Sequence, residues 1–109
     1  MKLWLDDLRE PTKFLGNIGK SFIWVRTYEE AIHMLEKDNI DYISLDHDLG
    51  TKKTGYDVLL YIEKRTFTDK KYSPPKIGIH TSNPSAAIKM KACKDKIEEI
   101  SRMKLLDKK

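Results

Sequence analysis

A single cysteine, Cys93, stands in this 109-residue chain, so no intramolecular disulfide can form and no thiolate zinc cluster can be assembled. That scarcity predicts a reducing, cytoplasmic setting. Long apolar runs are also missing. Met1 to Leu5 runs straight into Asp6 and Asp7, which is too short for a signal peptide, and no later stretch is long enough to span a bilayer. A soluble protein with no membrane partner is expected. Glycine and proline number only five and four, and there is no internal repeat or low-complexity linker. One domain over residues 1–109 is the expected organisation, with 39% hydrophobic content for one core. Neither sign of charge dominates: 21 basic residues face 17 acidic ones, for a net +4. Such a field tolerates an anionic substrate without demanding one. The lysines of Lys64-Arg65, Lys70-Lys71 and the last helix (Lys89, Lys91, Lys94, Lys104, Lys108, Lys109) read as a solvated face, because Glu98 and Glu99 interrupt them. A DNA partner is not indicated.

What is present is a succession of short apolar runs. Lys2 to Leu5, Phe22 to Val25, Ile40 to Leu45 and Lys76 to Ile79 read as strands. Pro11 to Lys20 reads as a loop in place of a first helix. Thr27-Tyr28-Glu29-Glu30 has capping-box spacing, and Tyr28, Ala31, Ile32 and Leu35 share a helical face. Thr54 with Asp57 starts a second helix, buried through Val58, Leu59, Tyr61 and Ile62, and Phe67 to Pro75 follows as a loop. Asn83-Pro84 opens a long last helix expected to bury Ile88, Met90, Cys93, Ile97 and Ile100. The order predicts a mostly parallel four-stranded sheet with helices on both faces. Trp4 and Trp24 read as core residues on neighbouring strands. His33 falls off the apolar stripe of its helix and is expected in solvent.

Polar clusters follow these strands. They are Asp6-Asp7-Leu8-Arg9, Asp46-His47-Asp48, Gly50 to Gly55, and His80-Thr81-Ser82-Asn83. In a parallel sheet, ligands bind at the carboxyl ends of strands, so the clusters are expected to share one edge and to handle phosphate or metal. Asp6 and Asp7 suit Mg²⁺, which prefers carboxylate oxygens. The structural alternative is that one of them caps a turn. Arg9 offers a fork for phosphate, or a salt bridge to an aspartate. His47 between two carboxylates suits proton transfer near neutral pH, although alternation along an extended chain would send it away from Asp46 and Asp48. His80 precedes a helix N-terminus where backbone N–H groups, Thr81, Ser82 and Asn83 can meet an anion.

The acidic pair after the first strand, Asp46 after the third and Gly55 opening the next helix resemble the receiver superfamily of two-component signalling. His80 stands where receivers carry threonine or serine, and no fifth strand follows to supply a lysine. The pieces Leu3-Trp4-Leu5-Asp6-Asp7-Leu8-Arg9, Ser44 to Gly50, Gly55 to Leu59, and Ile79 to Pro84 resemble a more particular family, the cyclic-phosphate processing receiver domains of bacteria and phages. The Asp46-x-Asp48 pair is also similar to the haloacid-dehalogenase nucleophile motif, but there the acidic pair comes later in the chain.

The resemblance implies a reduced, flavodoxin-like three-layer α/β sandwich with a mostly parallel four-stranded sheet and a long C-terminal helix. It implies a phosphoesterase acting on cyclic or terminal phosphates of RNA or nucleotides. Asp6, Asp7 and Asp46 would hold a divalent metal, Mg²⁺ or Mn²⁺. His47, His80 and Asp48 would be catalytic, and Arg9, Thr81, Ser82 and Asn83 would bind phosphate. Two rivals stand beside it: a stand-alone phosphoacceptor in which Asp46 attacks a phosphodonor, and a non-catalytic interaction protein of receiver architecture.

Overall fold

The computed structural model describes residues 1–107. Four strands, β1 (Lys2–Leu5), β2 (Phe22–Val25), β3 (Tyr42–Leu45) and β4 (Lys76–Ile79), form one sheet in the order β2-β1-β3-β4 with every pairing parallel. Each connection between successive strands carries helix: α1 (Pro11–Leu15) with a 3₁₀ turn (Gly16–Ser21), α2 (Tyr28–Lys37) and α3 (Gly55–Thr68). The last helix, α4, runs Pro84–Asp107. This is an α/β receiver-like fold with a parallel four-stranded sheet and a long C-terminal helix, as expected.

The core lies on one side of the sheet. Leu3, Leu5, Val25, Ile43, Leu45 and Ile77 face Ala31 and Leu35 of α2, Val58, Leu59 and Ile62 of α3, and Met90, Cys93 and Ile97 of α4 in one buried cluster. Burying each such aliphatic side chain contributes roughly 1.5–3 kcal/mol. The other side is covered thinly. There α1 sets Phe14 against Trp4, with ring centres 5.3 Å apart.

Local chemistry fixes the helix ends. At α2 the Glu30 N–H donates to Thr27 Oγ1 at 3.1 Å while the Thr27 hydroxyl donates to the Glu30 carboxylate at 3.2 Å. At α3 the Asp57 carboxylate accepts from the Thr54 N–H at 2.7 Å. Asn83 Oδ1 accepts from the Ala86 N–H at 3.2 Å and starts α4. Each such cap is worth about 1 kcal/mol.

Several expectations change. The Pro11 to Lys20 segment is the helix α1 and a 3₁₀ turn rather than a loop, because Pro11 sits at the first helical position and Gly19 packs against its backbone. Strand β3 starts at Tyr42, not Ile40, and α3 continues to Thr68, so the following loop starts later than Phe67. Ile88 is 74% exposed rather than buried. The buried stripe of α4 is Ala86, Met90, Cys93 and Ile97, and at ~100° per residue Ile88 lies on the far side of it. Lys104 is not simply solvated: its Nζ donates to the carbonyls of Thr66, Asp69 and Tyr72 at 2.9, 3.0 and 2.7 Å, closing the end of α3. Lys108 and Lys109 lie outside the described residues. His33 is exposed, and Cys93 is buried with its thiol pushed up to about 11 by burial and the Glu63 carboxylate, as suits a core residue.

No helix among the described residues is long and apolar enough to cross a membrane.

Candidate active site

The carboxyl ends of β1 and β3 adjoin in the sheet, with Leu5 paired to Leu45. The residue after each is therefore brought beside the other, and Asp6, Asp7 and Asp46 each offer a carboxylate oxygen within 4.8 Å of the others. Two adjacent aspartates share this centre because the chain turns directly after β1. Asp6 Oδ1 accepts the backbone N–H groups of Leu8 and Arg9, both at 2.9 Å. The turn-capping alternative and the cluster are thus both true of Asp6.

Indole donors hold the same turn from the sheet. Trp24 Nε1 donates to the Asp6 carbonyl at 2.7 Å and Trp4 Nε1 to the Arg9 carbonyl at 2.8 Å. Arg26 donates to the Asp7 carbonyl from Nε at 3.1 Å and Nη2 at 2.7 Å. Trp4 is buried and Trp24 half-buried, so the expected core role holds fully only for Trp4.

Gathering carboxylates this way is costly without a cation. The Asp46 carboxyl is raised above its ordinary value, first by burial and then by repulsion from Asp6 and Asp7, partly offset by the His47 N–H and the Arg9 charge. All donors of the trio are oxygens, which fits a hard divalent ion such as Mg²⁺ or Mn²⁺. Glycines make room around them. The Gly55 N–H donates to the His47 carbonyl at 2.9 Å, and a side chain at Gly55 would collide with the Asp46 carbonyl. The helix α3 can start this close to Asp46 only with glycine there.

His80 follows β4, the strand next to β3, and folds back over the sheet. Its ring stacks on Trp4 with centres 3.8 Å apart and planes 5° from parallel. Nε2 lies 3.2 Å from Asp6 Oδ2 and Nδ1 lies 2.7 Å from Ser44 Oγ. Because Asp6 already accepts two N–H groups, the consistent assignment has Nε2–H donating to Asp6 and the Ser44 hydroxyl donating to Nδ1. Burial lowers the imidazole from 6.5 to about 4 despite the neighbouring Asp6. His80 is a neutral, doubly bonded ring.

His47 is placed differently. Its backbone N–H donates to Asp46 Oδ1 at 2.8 Å, and its Nδ1 lies 3.0 Å from Asp48 Oδ1. The Asp48 side chain is 74% exposed and lies outside the carboxylate trio. Arg9 is exposed, with its guanidinium carbon 6.0 Å from the centre of the Phe14 ring. Thr81 Oγ1 accepts from the Asn83 N–H at 3.2 Å, and Asn83 caps α4, so both have local duties at the helix start. Ser82 is exposed beside them.

Trp4, Trp24, Arg26 and Ser44 escaped the sequence reading as parts of this centre. Ser44 carried a usable signal: a hydroxyl inside an apolar strand needs a partner when buried, and the residue after the neighbouring strand supplies it. The indole bonds and Arg26 carried none, since they depend on the course of the turn.

A parallel sheet with an acidic centre on adjacent strand ends defines a receiver-like protein. The family profile of the cyclic-phosphate processing receiver domain matches residues 1–96, and the chain belongs to that family. It is a receiver-like domain involved in cyclic-phosphate processing. No curated protein and no solved structure matches the chain.

Proposed function

We propose that the protein is a metal-dependent phosphoesterase that opens 2′,3′-cyclic phosphates at RNA or nucleotide ends. The observation that carries this reading is the convergence of the Asp6, Asp7 and Asp46 carboxylates, with the Arg9 charge acting on Asp46. Asp6, Asp7 and Asp46 hold the divalent ion, which when bound supplies positive charge to the phosphoryl oxygens. Arg9 meets a further phosphate oxygen. Asp48 engages His47 Nδ1, leaving Nε2 for proton transfer. Water attacks phosphorus and gives its proton to His47 Nε2; the bond from phosphorus to O2′ or O3′ breaks, and the leaving oxygen takes a proton from solvent. His80, with both nitrogens engaged, orients Asp6 in this scheme, as outer carboxylate and histidine partners orient metal ligands.

The test is a nucleoside 2′,3′-cyclic phosphate incubated with the protein and Mg²⁺ or Mn²⁺, followed by chromatography of the monophosphate product. Turnover abolished by chelator and by Asp46→Asn is expected. Absence of product with either metal sinks the reading. The phosphoacceptor reading draws on the same Asp46, and intact mass after incubation with a small phosphodonor decides it: a labile phosphoryl group on wild type, absent from Asp46→Asn, would replace hydrolysis by phosphotransfer. Neither activity would leave a non-catalytic interaction protein.

A further inference from the structure

The three carboxylates of the acidic centre are not held alike. Asp6 Oδ1 accepts the Leu8 and Arg9 N–H groups at 2.9 Å and its Oδ2 faces His80 Nε2 at 3.2 Å, while Asp46 Oδ1 accepts the His47 N–H at 2.8 Å. Among the described residues the Asp7 carboxylate has neither a hydrogen bond nor an ion pair. It lies with the other two all the same, and Gly50, at a φ of 69°, leaves it room: a Cβ there would stand 3.1 Å from Asp7 Oδ2. With no partner on the side chain, the aim of this carboxylate depends on its rotamer and on the backbone that carries it.

That backbone is fixed from the end of β2. Arg26, the first residue after the strand, closes its fork on the Asp7 carbonyl, donating from Nε at 3.1 Å and from Nη2 at 2.7 Å. Its guanidinium lies over the Trp24 ring, 5.0 Å from the centre, and Trp24 Nε1 donates to the Asp6 carbonyl at 2.7 Å. One stacked pair therefore grips two successive carbonyls of the acidic turn. The pair is itself anchored: the Asp6 N–H donates to the Val25 carbonyl at 3.1 Å, and the Arg26 N–H donates to the Glu30 carboxylate of the α2 cap at 3.3 Å. Charge alone would make an arginine unwelcome here, because a cation beside the acidic turn opposes binding of a divalent ion. Its geometric effect has the opposite sign.

We infer that Arg26, stacked on Trp24, is the positioning residue that aims the Asp7 carboxylate at the divalent ion, a role that rests on the metal centre of the phosphoesterase reading. Asp6 is aimed through its own carboxylate by two N–H groups and His80; Asp7 is aimed through its peptide by Arg26. Outer partners of this kind set metal affinity by orienting a ligand they do not replace. Loss of the Arg26 fork frees the Asp7 peptide to turn and takes one of three carboxylates out of line, so metal binding weakens even though a competing positive charge has been removed.

The experiment measures Mn²⁺ affinity of the full chain from the electron paramagnetic resonance signal of the free ion, with no substrate present. Arg26→Met keeps an apolar stem and removes both donors, and its dissociation constant should rise about 10- to 100-fold, the range for losing an outer partner of a metal ligand. Arg26→Lys keeps the charge and a donor without the fork, and should fall between wild type and Arg26→Met. Trp24→Phe keeps a ring beneath Arg26 and removes the indole donor; it should weaken binding in the same sense, and the double variant with Arg26→Met should lose less than the product of the two single losses. Circular dichroism checks folding, and if Arg26→Met unfolds, Arg26→Lys and Trp24→Phe decide. Binding in Arg26→Met as tight as wild type, or tighter as charge alone demands, overturns the positioning role and leaves the phosphoesterase reading standing. Weaker Mn²⁺ binding in the variants without any cyclic-phosphate turnover in wild type removes the phosphoesterase reading and keeps the positioning role. No Mn²⁺ binding by wild type removes both.

Discussion

His47 and His80 follow neighbouring strands of one sheet, yet their surroundings assign them different work. At the end of β4, His80 is stacked on Trp4, bonded at both nitrogens and lowered to about 4. At the end of β3, His47 is bonded at one nitrogen to the exposed Asp48. A ring with every polar atom engaged is suited to positioning, whereas a ring with a nitrogen to spare is suited to moving protons. The residue type is the same at both places; the Trp4 stack and the number of partners distinguish them.

The largest effect expected from that contrast is on turnover. His47→Gln should cut cyclic-phosphate hydrolysis by about 10²–10⁴-fold while leaving the protein folded. Steady-state kinetics beside urea unfolding reads both, and a variant as active as wild type would remove His47 from the proton-transfer role.

His80→Ala should behave in the opposite sense, because it uncovers Trp4 and leaves Asp6 Oδ2 and Ser44 Oγ without the ring. A loss of about 2–4 kcal/mol is expected in urea unfolding, from the combined cavity and lost hydrogen bonds. A stability close to wild type would show that the stack and its two bonds hold little.

Metal sharpens the comparison next, since Asp6 is tied to His80 and Asp46 to the His47 backbone. Saturating Mg²⁺ or Mn²⁺ at a hundred times its dissociation constant should stabilise wild type by about 2.7 kcal/mol. Asp46→Asn should melt higher than wild type in chelator, because it relieves the burial and repulsion that raise the Asp46 carboxyl, and should lose most of the gain from metal. Parallel melting curves with identical metal responses would argue against the carboxylate centre.

The smallest effect is the pH dependence. His80 titrates near 6.5 when unfolded and near 4 when folded, so below 6.5 the unfolded chain binds a proton that the folded ring refuses. In chelator, this group's contribution to stability should fall as pH drops from 6.5 toward 4 and then level off, while above 6.5 it adds no slope. His80→Phe keeps an aromatic ring on Trp4 and should lose that portion of the slope. An unchanged profile would mean the ring is protonated as readily folded as unfolded.

Much of this was legible in the chain because it depends on local rules. Short apolar runs identified all four strands, three of them followed by acidic or histidine residues, and the caps at Thr27, Thr54 and Asn83 identified three helix starts. Asp6, Asp7 and Asp46 could be grouped because parallel strands point their carboxyl ends the same way. The helical nature of Pro11–Leu15 was missed because it comprises a single short turn set by packing against Gly19. Ile88 was misread because a long helix with scattered apolar residues offers more than one stripe, and only the sheet chooses among them.

The sequence by itself determined the parallel α/β order, the family and the three carboxylates, since these follow from periodicity, capping and motif spacing along one chain. Only the tertiary structure decided that His80 turns back onto Trp4 and Asp6, that two indoles and Arg26 hold the acidic turn, and that Phe22, Lys2, Tyr42 and Lys76 share one row across the sheet. Those outcomes depend on which strands become neighbours and in what register, and the chain's local pattern is compatible with several such pairings until the sheet closes on its core.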